Sequence, residues 1–285
     1  MIPYFGRIPS PSAGCNCRDL HFLTGGLSAT IIVVIISHSH RFVFVKTKKT
    51  AGTSIEVYLS PLLDPNDVVT PVGEEEASLG HAPRNYQGRF SPFGEALSLA
   101  NAPRSWRAID GGGALRSFGH AVKGKRYYNH ISAYRTMRRM GAKTWSKYLT
   151  FAVERNPWDK AISQFFWKAR RRPDYSFEQF VTEEDVGINY PRYCDPHTGE
   201  ILVDRLLYYH RLNEELTKIF EEIQIPFSGK LDVRAKGNTR KRREPYQKLF
   251  NGELARYRPT IDRLFAKEIE LHGWDFESGL PHRGT

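Results

Sequence analysis

The sequence predicts an α/β domain with a central parallel sheet flanked by helices. Phe42-Val43-Phe44-Val45 is a short β-branched and aromatic run that ends in a basic turn, and Ile55 to Leu59 behind it reads as a helix start. Tyr148 to Val153 reads as a second buried strand, followed by Asn156 as a helix cap and Pro157 at the first helical position. Strands that alternate with helices favour parallel pairing. At 285 residues, 40% of them apolar and 26% charged, the chain can bury the core of one such domain.

Taken in order, residues 1–36 read as an N-terminal extension and residues 37–280 as the α/β domain. The apolar run Leu27 to Ser37, even when counted from Phe22, is shorter than the roughly 20 residues a membrane helix needs. It also contains Gly25, Gly26 and Ser28. Only four residues separate Ser37 from Phe42, which leaves no stem to lift a domain off a bilayer. The run is expected to be part of a buried strand or of the extension. A signal peptide is not expected, since only Arg7 and Arg18 precede the run and no clean cleavage site follows. Residues 61–128 are rich in Pro, Gly and Ser, with Gly111-Gly112-Gly113 near the end. They predict loops and short helices over an active-site mouth. Ile131 to Met140 reads as a helix stopped by Gly141, and Trp158 to Arg170 continues the helix capped by Asn156. Val203 to Ile223 reads as one long amphipathic helix ended by Pro226. A basic loop, Arg234 to Arg243, precedes a final helix from Pro259 to Leu271. No internal repeat is visible.

The turn Lys46-Thr47-Lys48-Lys49-Thr50-Ala51-Gly52-Thr53-Ser54 is the most informative segment. A strand, a tight loop and a helix N-terminus together gather backbone amides around a phosphate. The loop adds ammonium groups at Lys46, Lys48 and Lys49, and hydroxyls at Thr50, Thr53 and Ser54. The plain alternative is a solvated basic turn. It is not a Walker A loop, because Gly52 is followed by Thr53 and Lys49 precedes the glycine. A second anion site is expected at Arg155, where the second strand stops, with Ser163 two turns along the next helix. Its plain alternative is a surface arginine beside a capped helix. Two separated anion sites suit a nucleotide with phosphates at two positions. A kinase needs magnesium-holding carboxylates around one phosphate chain, and no aspartate ends a strand in such a setting.

Lys49-Thr50-Ala51-Gly52-Thr53-Ser54 resembles the 5′-phosphosulfate loop of sulfotransferases that use 3′-phosphoadenosine 5′-phosphosulfate (PAPS). That family usually writes His-x-Pro-Lys-Thr-Ala-Gly-Thr-Ser; here Lys46 stands for the His and Lys48 for the Pro. Arg155, Asn156, Pro157, Trp158, Lys160 and Ser163 resemble the family's 3′-phosphate segment with the spacing intact. The ending Phe265 to Phe276 is similar to its closing helix and tail, so the resemblance spans residues 37–278. Val203 to Asn213 matches a family helix only loosely and receives no site role.

The resemblance implies a P-loop-like sulfotransferase fold, PAPS as co-substrate, and no obligatory metal. Lys49, Thr50, Ala51, Gly52, Thr53 and Ser54 would hold the 5′-phosphate, with Lys49 also facing the leaving oxygen. Arg155 and Ser163 would hold the 3′-phosphate, and Asn238 and Arg240 belong to a loop that closes over the nucleotide. His130, in His130-Ile131-Ser132-Ala133, would be the base, with His120 as the runner-up. The acceptor would be a hydroxyl, or less often an amine, of a glycan or small molecule.

Lysine and arginine number 42 against 31 acids, a net charge of +11, which suits polyanionic partners. Lys168-Ala169-Arg170-Arg171-Arg172 and Lys241-Arg242-Arg243 keep open a rival, a non-catalytic module for nucleic acid or heparin-like polymers. A P-loop-like kinase and an inactive family member are the other rivals. The reading adopted is a carbohydrate-type sulfotransferase with a hydroxylated acceptor, no nucleic-acid or membrane partner, and a homo-oligomer left open. The three cysteines Cys15, Cys17 and Cys194 make neither a disulfide framework nor a zinc pattern, which favours a reduced cytoplasm.

Overall fold

The structure is a computed structural model that describes residues 34–71, 81–104, 106–107, 113–128, 131–231 and 244–282. Its sheet has five strands in the order β3-β1-β2-β4-β5. They are β1 (Val34–Ser37), β2 (Phe42–Val45), β3 (Val68–Val69), β4 (Leu149–Glu154) and β5 (Arg205–Tyr208).

The sheet is mixed, not parallel throughout. β2, β4 and β5 run parallel, whereas β1 is antiparallel to both β2 and β3. The cause is the short link: Ser37 pairs with Phe42 across a four-residue turn, and a parallel crossover needs a dozen residues or more. β1 is buried along its whole length, so residues 34–36 belong to the sheet and not to an extension ending at residue 36.

The helices that matter for the site are α1 (Gly52–Leu59), α2 (Gly113–Val122), α3 (Ala133–Met140), α4 (Pro157–Ala169), α5 (Leu212–Glu222), α6 (Arg258–Leu264) and α7 (Ala266–His272). Successive residues of β2 point to opposite faces of the sheet. Phe42 and Phe44 join Phe151, Ile55 of α1 and Phe220 of α5 in one core. Val43 and Val45 join Ala152, Ile131 and Tyr193 in another. A third core surrounds Trp158 and Ile162 of α4 and includes Phe265.

Two predicted helices are divided. Residues 203–223 form β5, a 3-10 turn over Tyr209–Arg211, and then α5. A short apolar run such as Leu206-Leu207-Tyr208 suits strand or helix, and the free edge of β4 decides for strand. Asp204 anchors the pairing by accepting from the amide and hydroxyl of Thr150 at 2.8 and 2.7 Å. The last helix breaks at Phe265 (φ −96°, ψ 7°), whose ring is buried, giving α6 and α7. Among the described residues no helix is long and apolar enough to cross a membrane.

Candidate functional site

β2 and β4 pair in parallel up to Val45↔Ala152, so the turn after β2 and the residues after β4 leave the sheet side by side. Lys49 (φ 62°) and Ala51 (φ 61°) both adopt left-handed backbone without being glycine. Such residues cost about 1–3 kcal/mol each and concentrate at functional loops. Ala51 offers no side-chain cap to α1. The first intrahelical bond is Ile55 N to Ala51 O at 3.2 Å, so the amides of Gly52, Thr53 and Ser54 have no partner within the helix. Amides at a helix N-terminus are the groups that the expected anion cradle would use.

The side chains of this turn make different contacts. Lys46 is buried, and its ammonium donates to Thr53 Oγ1 at 3.0 Å and to the Glu56 carboxylate. Its methylenes run under Gly52, where an added Cβ would sit 2.5 Å from Lys46 Cγ. Glycine is therefore required here by close approach, and Lys46 adds no open charge to the cradle. Lys48 donates to Asp185 at 2.7 Å, and burial lowers its pKa. Thr50 turns its hydroxyl inward to Thr47, 2.8 Å from that hydroxyl, while Thr47 donates to the Val153 carbonyl. Thr50 thus offers an anion its backbone only. Lys49 Nζ lies 5.6 Å from the centre of the Trp167 ring.

Arg155 joins the two predicted sites. Its Nη1 donates to the Lys49 carbonyl at 2.9 Å, and its Nε and Nη2 donate to Asp159 Oδ2 at 2.9 and 2.6 Å. The guanidinium lies over the Tyr209 ring at 4.3 Å. Among the described residues these bonds use one hydrogen on each nitrogen, which leaves one on each terminal nitrogen for an anion. Asp159, Ser163 and Trp167 follow Arg155 at four-residue intervals on one stripe of α4, so Ser163 lies between the Arg155 pair and the tryptophan under Lys49. Lys160, which fills the basic position of the same segment, is fully buried between Glu154 and Glu268 and binds no ligand.

A cavity of about 320 Å³ opens beside Arg155, and its lining includes Asn156, Tyr209, His210, Tyr246 and Leu280. That is within the size range of small-ligand sites, at the carboxyl ends of parallel strands where such sites form in open α/β sheets. Sequence reasoning missed Tyr209, His210 and Tyr246. The aromatic run Tyr208-Tyr209-His210 was a signal, hidden by reading the segment as a packing helix.

His120 does not suit a base. Its Nε2 accepts from Arg116 Nε at 3.2 Å, its ring stacks on Tyr128 at 3.7 Å, and burial with nearby Arg116 and Arg139 pushes its pKa down to about 3. His130, Asn238 and Arg240 lie outside the described residues.

No family model and no solved structure matches the chain. A stretch of 109 residues is 35% identical to an uncharacterized protein of Archaeoglobus fulgidus, covering 36% of this chain and 89% of that protein. The chain belongs to the same family as that archaeal protein, whose name states no activity.

Proposed function

We propose that this protein is a PAPS-dependent sulfotransferase of the carbohydrate type, built on a P-loop-like sulfotransferase fold and working in the cytoplasm. The observation that carries the reading is the 2.9 Å bond from Arg155 to the Lys49 carbonyl. Arg155 and the Lys49 turn touch, which supports a single nucleotide meeting both segments. The donors suit such a nucleotide: the first-turn amides of α1 and Lys49 at one end, the remaining guanidinium hydrogens and Ser163 at the other. Tyr209, His210 and Tyr246 supply a cavity wall for the base and sugar. Cys194 is a buried free thiol, which suits a reducing compartment.

In the reaction the acceptor oxygen attacks sulfur as the bond from sulfur to the 5′-phosphate oxygen breaks. The acceptor proton passes to a base, and 3′-phosphoadenosine 5′-phosphate leaves. The protein's part is to align the two molecules and to meet negative charge growing on the leaving oxygen. Lys49 does the latter, and no metal is needed for it. His130 is the base by its sequence pattern. His130→Ala should abolish transfer while the product nucleotide still binds; full activity in that variant would discard a histidine base here.

Calorimetry with 3′-phosphoadenosine 5′-phosphate and with ATP tests the reading. The bisphosphate should bind clearly more tightly, and Arg155→Ala should weaken it by about tenfold or more relative to AMP. Tighter binding of ATP with magnesium would favour the kinase. Steeply salt-dependent polymer binding that survives Lys49→Ala with Arg155→Ala would favour the polyanion module, whose best support is exposed Arg170, Arg171 and Arg172.

A further inference from the structure

The backbone of the phosphate turn is held from outside the turn, by one side chain. Asn189 Oδ1 accepts from the Lys48 amide at 2.7 Å, and Asn189 Nδ2 donates to the Lys48 carbonyl at 3.0 Å. A carboxamide thus pairs with both polar groups of one residue, as a neighbouring strand would. Lys48 immediately precedes Lys49, which adopts left-handed backbone (φ 62°). Nothing in the turn itself supplies these two bonds to Lys48.

Asn189 is in turn fixed by α7. Its own amide donates to Glu268 Oε1, as does the amide of Tyr190 at 2.9 Å. Glu268 Oε2 accepts from Lys160 at 2.5 Å, and Lys160 also donates to Glu154 Oε1 at 2.6 Å. Glu154 Oε1 accepts further from Asn189 Nδ2 at 3.3 Å and from the Arg155 amide at 2.7 Å, while Tyr193 donates to Glu154 Oε2 at 2.8 Å. Asn189, Glu154, Lys160 and Glu268 are all fully buried. One buried cluster therefore reaches the backbone of both anion sites, Lys48 through Asn189 and Arg155 through Glu154.

We propose that Asn189, held by Glu268 of the C-terminal helix α7, is the positioning residue for the 5′-phosphate turn and sets its affinity for the phosphate without touching it. This rests on the nucleotide reading of the turn above. A cradle of backbone amides binds well only if the amides already converge, since ordering them at binding would reduce affinity. The two bonds to Lys48 do that ordering during folding. Asn189, 141 positions along the chain from Lys48, pairs both polar groups of the backbone of that half-buried residue.

The test compares two ligands on the full chain by calorimetry. 3′-Phosphoadenosine 5′-phosphate occupies both anion sites, and adenosine 3′-phosphate lacks the group that meets the turn. Asn189→Ala should weaken the bisphosphate by about tenfold, the scale of losing two hydrogen bonds that hold a cradle in shape, and leave adenosine 3′-phosphate unchanged. A general loosening of the fold would weaken both ligands alike, and that result, or no change in either, overturns the proposal. If Asn189→Ala does not fold, Asn189→Ser, too short to bridge both Lys48 atoms, carries the same comparison. Should the unaltered protein bind the bisphosphate no better than adenosine 3′-phosphate, the nucleotide reading itself fails, and that outcome is distinct from failure of the Asn189 role.

Discussion

Lys49→Ala lowers turnover by about 10²–10³-fold, far more than it weakens nucleotide binding; this is the largest catalytic effect expected for any single residue of the turn. The argument is differential. Negative charge on the 5′-phosphate side grows only as the sulfur–oxygen bond breaks, so a cation aimed there gains most in the transition state. Lys46 pairs with Glu56 and Lys48 with Asp185. Lys49 has a left-handed backbone and a carbonyl held by Arg155, which fix the point from which its side chain leaves the loop. Steady-state rates together with calorimetry decide the matter. Equal losses in turnover and affinity would make Lys49 a binding residue only, with the leaving-group role passing to another donor.

Lys160→Met is the most destabilising change expected, at about 3–5 kcal/mol in urea unfolding. Methionine keeps the apolar stem but removes the ammonium that Glu154 and Glu268 share, and all three side chains are fully buried. Two carboxylates would then face one another without water. Burial first, and then the neighbouring Glu154, already push the Glu268 pKa up to about 7 from an ordinary 4.5. A raised carboxyl pKa means that the fold disfavours the charged form. The stability tied to protonated Glu268 is therefore full below about pH 4.5 and is lost as pH rises through about 7. Without Lys160 the charged form is opposed further, so the deficit of Lys160→Met should be larger at about pH 8 than at about pH 5.5. A deficit independent of pH would assign the loss to packing alone.

Both strand-to-helix segments proposed to hold anions were legible in the chain because each is local. A β-branched run, a Gly-containing turn and a helix start lie within Phe42 to Leu59, and Arg155 to Ser163 carries its own cap, Pro157 and the four-residue spacing. What the turn does with its lysines was not legible. Lys46, Lys48 and Lys49 look alike in sequence, and Glu56 and Asp185 settle the fates of the first two. The same holds for Lys160, which fits a basic ligand position by spacing but lies between two buried acids. β5 was missed because a strand with a three-residue apolar run, Leu206-Leu207-Tyr208, carries no periodicity that excludes a helix; the open edge of β4 is information from another part of the chain.

By itself the sequence determined the α/β class, the two strand-to-helix crossings and the residue types around them, since propensity, capping and short-range patterning act between residues a few positions apart. Only the tertiary structure decided that the sheet is mixed, that Arg155 meets Lys49, that Tyr209, His210 and Tyr246 wall a cavity, and that Asn189 holds the turn. Those outcomes depend on pairing buried polar groups and charges contributed by distant segments. Which partner each finds is settled when the segments pack together, and no local pattern encodes it.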